Sequence, residues 1–395
     1  MRREKPKLLN CIHCGFCLDV CPTYNLTGDE SNSPRGRLAT WRALSEGRLE
    51  PTPMGDFYTM ECVGCLACES ACPAKVPYGE LLYEARHAQV ARGGRVHPLL
   101  RLTGALLHYT RFFDVLNLPL RLARRLGLAR HRFLFPGRPE IFKSTASYAR
   151  EVVERLQPKG SRVALLSGCL MEGVFREINY ATVRVLAVNG VRVEVPEGQA
   201  CCGAVFEHAG LPGQQSLDAR NRGAFAGFET VITNAAGCGL ALSHVLPGRT
   251  RDLLSFLGTL KLKQGQPLDL DHLYFDIPCH LYHGLKVQKA PPGIFEAIGT
   301  PWSYAPEADR CCGSGGTYNI THAHNSRRIL EEKSRFLNDV PHARPALVTA
   351  NHVCMMQWHS AVATGLVRRK VPVLHLVQAL DESYRRAGLY AALGA

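Results

Sequence analysis

Short apolar runs recur through the second half of the chain, each set between polar or turn-forming positions. Val163-Ala-Leu-Leu166, Thr230-Val-Ile-Thr233, Tyr274-Phe-Asp-Ile277 and Ala346-Leu-Val-Thr349 have the length and composition of buried strands. The longer stretches Ile178–Val188, Gln214–Gly227 and Ala323–Asn338 carry helical spacing. Strands alternating with helices predict parallel α/β halves, whose ligands gather beyond the carboxyl ends of the strands. Residues 1–92 lack this alternation and predict helices instead, over Arg35–Glu46, opened by Pro34, and over Glu80–Ala91. The expected fold is α+β and multidomain: a helical module over 1–92, a connecting segment over 93–157, and two repeated α/β domains over 158–268 and 269–395, each with a parallel sheet.

Charge changes this picture only locally. The chain of 395 residues carries a formal net charge of +13. Between Arg92 and Arg138 ten arginines face one acid, Asp114, which leaves nine of the thirteen excess charges in this stretch. Leu99, Leu100, Leu102, Leu106, Leu107, Phe112, Phe113, Leu116, Leu118, Leu120, Leu122, Leu126 and Leu128 interleave with them. Two interpretations stand side by side: a basic amphipathic segment lying on anionic lipid or a partner subunit, and a helical connection with a solvated basic side. A nucleic-acid partner is not expected, since no binding motif accompanies the charge. The longest stretch without Asp, Glu, Lys or Arg, Pro345–Val367, contains Asn351, His352, Gln357 and His359 and reads as buried core, so no membrane-crossing helix is expected. Met1–Asn10 has no apolar h-region, and the expected location is cytoplasmic, with peripheral contact at the inner face of the membrane as the role of the basic segment.

The sixteen cysteines carry the chemistry. Cys11-Ile-His-Cys14-Gly-Phe-Cys17-Leu-Asp-Val-Cys21-Pro22 and Cys62-Val-Gly-Cys65-Leu-Ala-Cys68-Glu-Ser-Ala-Cys72-Pro73 share the spacing C-x2-C-x2-C-x3-C-P. Three thiolates two residues apart reach three corners of one [4Fe–4S] cubane, and the fourth, before proline, ligates the neighbouring cluster. The spacing therefore assigns Cys11, Cys14, Cys17 and Cys72 to one cluster and Cys21, Cys62, Cys65 and Cys68 to the other. Structural zinc usually pairs two C-x2-C knuckles, which this pattern does not follow.

A second repeat occupies the α/β region. Cys169 precedes Cys201-Cys202-Gly203 by 32 positions and Cys279 precedes Cys311-Cys312-Gly313 by the same interval; Cys238 and Cys354 follow at unequal distances. Cys169, Cys238, Cys279 and Cys354 each follow one of the predicted strands. Gly313-Ser-Gly-Gly316 lacks dinucleotide-binding spacing and reads as backbone room near a metal site. No G-x-S-x-G elbow is present.

Cys11 to Cys17, Cys21-Pro-Thr-Tyr24, Gly28-Asp-Glu30 and Pro34-Arg-Gly-Arg37 resemble the iron–sulfur subunits of glycolate oxidase (glycolate dehydrogenase). The two Cys-Cys-Gly segments resemble the CCG domains found also in heterodisulfide reductase, in lactate-utilisation iron–sulfur proteins and in the anaerobic glycerol-3-phosphate dehydrogenase. The resemblance implies an electron-transfer subunit with two [4Fe–4S] clusters. FAD is expected only on partner dehydrogenase subunits that oxidise a 2-hydroxy acid, most simply glycolate to glyoxylate, and quinone or another acceptor takes the electrons. A D-lactate or glycerol-3-phosphate dehydrogenase subunit and a thiol–disulfide catalyst like heterodisulfide reductase are the alternatives. The heterodisulfide reductase pattern has a fifth cysteine in each repeat, where Ala241 and Gln357 stand here. Four thiols per half (Cys169, Cys201, Cys202, Cys238; Cys279, Cys311, Cys312, Cys354) leave an iron–sulfur cluster, zinc and a metal-free thiol cluster all open. His208, His280, His283 and His352 flank these cysteines and are read as packed side chains.

Overall fold

The computed structural model describes residues 6–108, 115–128, 140–289 and 291–394. Arg111, Phe112, Phe113, Asp114, Arg130, Arg132 and Arg138 of the basic segment lie outside the described residues.

Helices build the N-terminal module, and their first turns explain where they begin. Pro34 opens the helix Pro34–Ser45, where its missing N–H costs nothing, and Ser33 caps it by accepting from the Gly36 N–H. Thr52 caps Pro53–Met60 in the same way. With the helix Tyr78–Ala91, these bury Leu38, Trp41, Tyr78, Leu81 and Leu82 around Leu8.

The α/β region contains two sheets of one topology. Strands β1 (Arg162–Leu165), β2 (Arg192–Glu194), β3 (Val231–Thr233) and β4 (Thr250–Asp252) pair in the order β2-β1-β3-β4, all parallel. Strands β5 (His272–Asp276), β6 (Trp302–Tyr304), β7 (Pro345–Thr349) and β8 (Val373–His375) repeat this as β6-β5-β7-β8. Strand pairing places Leu165 beside Ile232 in the first half and Phe275 beside Val348 in the second. In each half the chain leaves the first strand toward one side and returns on the other, so β1/β3 and β5/β7 flank a topological switch point. One apolar core joins the halves, burying Ile178, Phe275, Leu347, Trp358 and Leu380 together. Arg184 and Asp381 pair across the seam at 2.6 Å. The helix Thr145–Leu156, at the end of the connecting segment, packs Ala149 and Val152 into that same core.

In the basic stretch Arg92, Arg95, Arg101 and Arg125 are exposed and Leu100 and Leu107 are buried, as expected, but one helix departs from the expectation of an exposed arginine face. In the helix Leu118–Arg125, Arg121 and Arg124 are 2% and 1% exposed, whereas Leu122, Leu126 and Leu128 are 46%, 62% and 72% exposed. The cause lies in another element. The short helix Cys169–Gly173 ends with carbonyls that have no intrahelical donor. Arg121 donates to the Gly173 carbonyl at 3.0 Å, and Arg124 donates to the Val174 carbonyl and pairs with Glu177 at 2.7 Å. The Arg124 guanidinium also lies over the Phe175 ring, 4.8 Å from its centroid. Among the described residues no helix is long and apolar enough to cross a membrane.

Candidate metal centres

The two cysteine runs of the helical module wrap two adjoining cavities. One is lined by Cys11, Cys14, Cys17 and Cys72, and also by Cys68, which lines both cavities. The other is lined by Cys21, Cys62, Cys65 and Cys68. Cys72 thus stands with the first run and Cys21 with the second. The local backbone accounts for this exchange: Cys21 sits in extended conformation at the start of the helix Pro22–Thr27, and the short helix Ala67–Ser70 carries Cys68 ahead of Cys72. The first cavity opens at the surface, where Cys14, Ile12 and Phe16 are exposed.

Charge and hydrogen bonds around the second cavity come from the Pro34-Arg-Gly-Arg37 segment. Arg37 is buried and donates to the carbonyls of Asn32 at 2.6 Å and Tyr58 at 2.7 Å. Burial opposes its charge, but Tyr78, Cys62 and Cys21 more than offset this and hold it cationic. Thr23 donates to the Asn32 carbonyl and lies 3.3 Å from the Cys21 sulfur. Tyr78 lines both cavities and donates to the Cys62 sulfur at 3.5 Å. No disulfide joins any of the sixteen cysteines. Burial pushes the Cys17 thiol up to about 11 and the Cys68 thiol well above its ordinary value. Four-thiol donor sets of this kind fit [4Fe–4S] groups, because a bound cation reverses the cost of buried thiolate.

The α/β cysteines stand at the switch points. Cys169 follows β1 and Cys238 follows β3; Cys279 follows β5 and Cys354 follows β7. Within each half the four thiols neighbour one another in a chain, the two members of each Cys-Cys step also lying within hydrogen-bonding reach of one another. The Cys169 and Cys201 sulfurs are 3.7 Å apart, and Cys202 lies within hydrogen-bonding reach of Cys238. In the second half Cys279 neighbours Cys311, Cys311 neighbours Cys312, and Cys312 neighbours Cys354. Neighbouring thiols and burial raise Cys169, Cys279 and Cys354 well above the ordinary range. Among the described residues no three Cys, His, Asp or Glu side chains form a preset single-ion group, in the α/β halves or in the helical module.

The halves differ in what surrounds the sulfurs. The Gly313 N–H donates to the Cys311 sulfur at 3.3 Å, as the Gly203 N–H does to Cys201, but the second half adds the Asn351 amide, which donates to the Cys354 sulfur at 3.2 Å. Ala235, at the equivalent helix start of the first half, has no side-chain donor to offer. Lys333 is buried beside this second set and pairs with Asp276 at 2.6 Å, while the Trp358 N–H donates to the other Asp276 oxygen at 2.6 Å. Burial works against the Lys333 charge, but Asp276 outweighs it and keeps the ammonium protonated.

The second cysteine run of the helical module lies on the second α/β half. Cys65 shares a buried apolar cluster with Cys311 and Tyr318, with Cys279 packed against it. His280 donates to the Gly64 carbonyl at 2.9 Å and His283 bonds Ser70 at 3.0 Å, so both serve this contact. Asn325 donates to Glu61 at 2.7 Å. A Cβ on Gly315 would lie 2.8 Å from the Val63 carbonyl oxygen, so this glycine leaves room for the approaching cysteine loop. His208 stacks on His280 with ring centroids 5.3 Å apart, and His352 packs beside Phe175. Tyr78, Asp276 and Lys333 had no local signature in the sequence; Tyr78 follows Cys72 by six positions, and the other two meet only through the fold.

Comparison with known families agrees with this architecture. A 4Fe–4S dicluster domain model matches residues 7–76, and a cysteine-rich domain model matches 163–243 and 273–358. The chain is 32% identical to a probable glycolate oxidase iron–sulfur subunit of Bacillus subtilis, over 97% of this chain and 95% of that protein. It is 29% identical to the glycolate oxidase iron–sulfur subunit of Escherichia coli, over 94% of each. It is 28% identical to a subunit of the fumarate reductase (CoM/CoB) of Methanothermobacter marburgensis, over 97% of this chain and 73% of that protein.

Proposed function

This chain belongs to the family of glycolate oxidase iron–sulfur subunits, and from that premise we propose that it takes electrons from a FAD-containing partner that oxidises glycolate to glyoxylate. It is the iron–sulfur electron-transfer subunit of a glycolate-oxidase-type flavin dehydrogenase complex and binds [4Fe–4S] clusters through its dicluster domain. The finer assignment is ours: Cys11, Cys14, Cys17 and Cys72 hold one cluster, and Cys21, Cys62, Cys65 and Cys68 hold the other. Its support is that Cys72 lines the cavity of the first run and Cys21 that of the second, with Cys68 lining both.

The observation that links the helical module to the second α/β half is the contact of Cys65 with Cys279 and Cys311. A line of thiols runs from the exposed mouth at Cys14 inward to the second α/β half, whose four cysteines we assign as a further iron–sulfur site. Bound clusters supply one-electron acceptance and release. The chain's own residues set how readily they do so. Tyr78, the Gly313 N–H and Asn351 donate to sulfur, and Arg37 and Lys333 place positive charge beside it. Ile12 and Phe16 around the first mouth are the docking face for the flavoprotein, and the outward Leu122, Leu126 and Leu128, flanked by exposed Arg125, rest on an anionic membrane surface. Electrons leave toward a quinone or another acceptor.

The test is anaerobic co-expression with FAD-linked dehydrogenase subunits, followed by iron and sulfide analysis and dye reduction with glycolate, D-lactate and glycerol 3-phosphate. Glycolate-driven reduction supports the proposal. Reduction driven by D-lactate or glycerol 3-phosphate alone would reject the substrate.

A further inference from the structure

A cavity of about 510 Å³ opens between the helices Pro34–Ser45, Pro53–Met60 and Tyr78–Ala91, on a side of the helical module away from the cysteine cavities' own walls. Its size is that of a small-molecule site. Leu8, Trp41, Leu44, Leu49 and Leu81 supply apolar wall, and Ala85 and Ala88 leave space along one helix. The Asp56–Arg92 ion pair, 2.9 Å, stands in its lining. Within that lining Gln89 is 3% exposed, and its side-chain Oε1 is buried with no hydrogen-bond partner. An orphaned buried acceptor costs about 1–3 kcal/mol, so it points to a ligand that can donate there, as the hydroxyl of a quinol does.

The back wall connects this cavity to the metal centres. The Trp41 ring lies 5.4 Å, centroid to centroid, from the Tyr78 ring. Tyr78 in turn lines both cysteine cavities and touches the Cys62 sulfur. The Trp41 N–H is already used, donating to Thr59 at 3.0 Å, which fixes the indole and leaves its face for packing.

We propose that this cavity binds the acceptor named above as a class, a quinone, with its ring against Trp41 and its polar edge at Gln89. The proposal rests on the electron-transfer function already assigned. A quinone matches the cavity because it joins a flat ring and an apolar tail to two carbonyl oxygens. The Gln89 amide can donate to a quinone carbonyl, and its oxygen can accept from a quinol hydroxyl. Conversion to the quinol consumes two electrons and two protons. The electrons are those removed from the hydroxy acid by the flavoprotein, and water at the cavity mouth supplies the protons.

The test uses the purified full chain and decylubiquinone as probe, with tryptophan fluorescence as the binding signal. Saturable quenching is expected, with most of it lost in Trp41→Phe while affinity holds. Ala88→Leu, which fills the space, and Gln89→Leu should each weaken binding about tenfold, without change in iron content or the visible spectrum. Quenching that is absent, or unchanged in both Ala88→Leu and Gln89→Leu, overturns the site. So does loss of flavoprotein co-purification in Ala88→Leu with quinone affinity intact, since the groove would then seat a protein helix. Glycolate-dependent dye reduction, measured in the same complexes, separates the two levels. If it persists while quinone binding ignores the variants, only the site is wrong; if it never appears, the function assigned above is wrong.

Discussion

His280 donates a hydrogen bond to the carbonyl oxygen of Gly64 at 2.9 Å, tying the segment after Cys279 to the loop that holds Cys62, Cys65 and Cys68. A carbonyl can only accept, so Nε2 carries the proton, and burial favours the neutral ring by holding its pKa below the ordinary value. His280→Ala leaves the Gly64 carbonyl unpaired between two domains. A loss of about 1–3 kcal/mol is expected, read as a lower thermal midpoint at pH 7. His280→Gln, which restores a donor, should recover part of it.

The cysteine exchange predicts which variants share a phenotype. Serine at Cys72 should damage the same cluster as serine at Cys17, and serine at Cys21 the same cluster as serine at Cys65. EPR of the four reduced variants should sort them into those two pairs. Sorting by sequence run instead would reverse the assignment.

Lys333 and Asp276 form a buried pair beside the second α/β cysteine set. Lys333→Met alone strands a buried carboxylate and should destabilise by about 3–5 kcal/mol. Removing both charges in Asp276→Leu/Lys333→Met should restore much of that stability while still altering the signal of any cluster in the second half. Chemical denaturation and EPR measure the two effects separately.

The leucine face of Leu118–Leu128 makes an opposite pair of predictions. Leu122→Gln/Leu126→Gln/Leu128→Gln should lower co-sedimentation with anionic vesicles about tenfold and leave the thermal midpoint unchanged. Arg124→Met should leave the Val174 carbonyl without its charged donor, at a cost of about 1.5–3 kcal/mol. Vesicle binding that survives the leucine changes would favour a plain connecting helix.

Acid sensitivity should pass through His375. Its Nε2 donates to the Asn234 carbonyl at 2.9 Å, joining the two halves, and its Nδ1 accepts from the Val377 N–H. Burial lowers its pKa from 6.5 to about 4. The unfolded chain therefore takes up a proton below about pH 6.5 that the folded chain refuses until about 4. The stability from this group is present above pH 6.5 and is lost as pH falls toward 4, at about 1.4 kcal/mol per pH unit. His375→Gln should flatten that part of the profile in unfolding measurements at stepped pH.

Local patterns were legible before any coordinates. The helices at Pro34 and Tyr78, the four cysteine-bearing strands and both cysteine repeats depend on spacing, caps and apolar runs within a few residues of one another, and the structure has them at nearly the expected bounds. Amphipathic period, by contrast, misled at Leu118–Arg125. A helix reveals two faces by its sequence, but which face turns inward is decided by the surface it meets. Here that surface ends in the Gly173 and Val174 carbonyls and Glu177, so arginines rather than leucines are buried.

By itself, then, the sequence determined the chemistry: thiol donors in two ferredoxin runs and two Cys-Cys-Gly repeats, because metal-ligand spacing is a property of neighbours along the chain. Only the tertiary structure decided how those centres are wired. That Cys65 meets Cys279 and Cys311, that Tyr78 lies between the two cysteine cavities, and that Lys333 pairs with Asp276 beside the second cysteine set are contacts between residues far apart in sequence. Such contacts follow from packing two nearly equivalent repeats against one helical module, which can press its second cysteine loop closely against only one of the two cysteine sets.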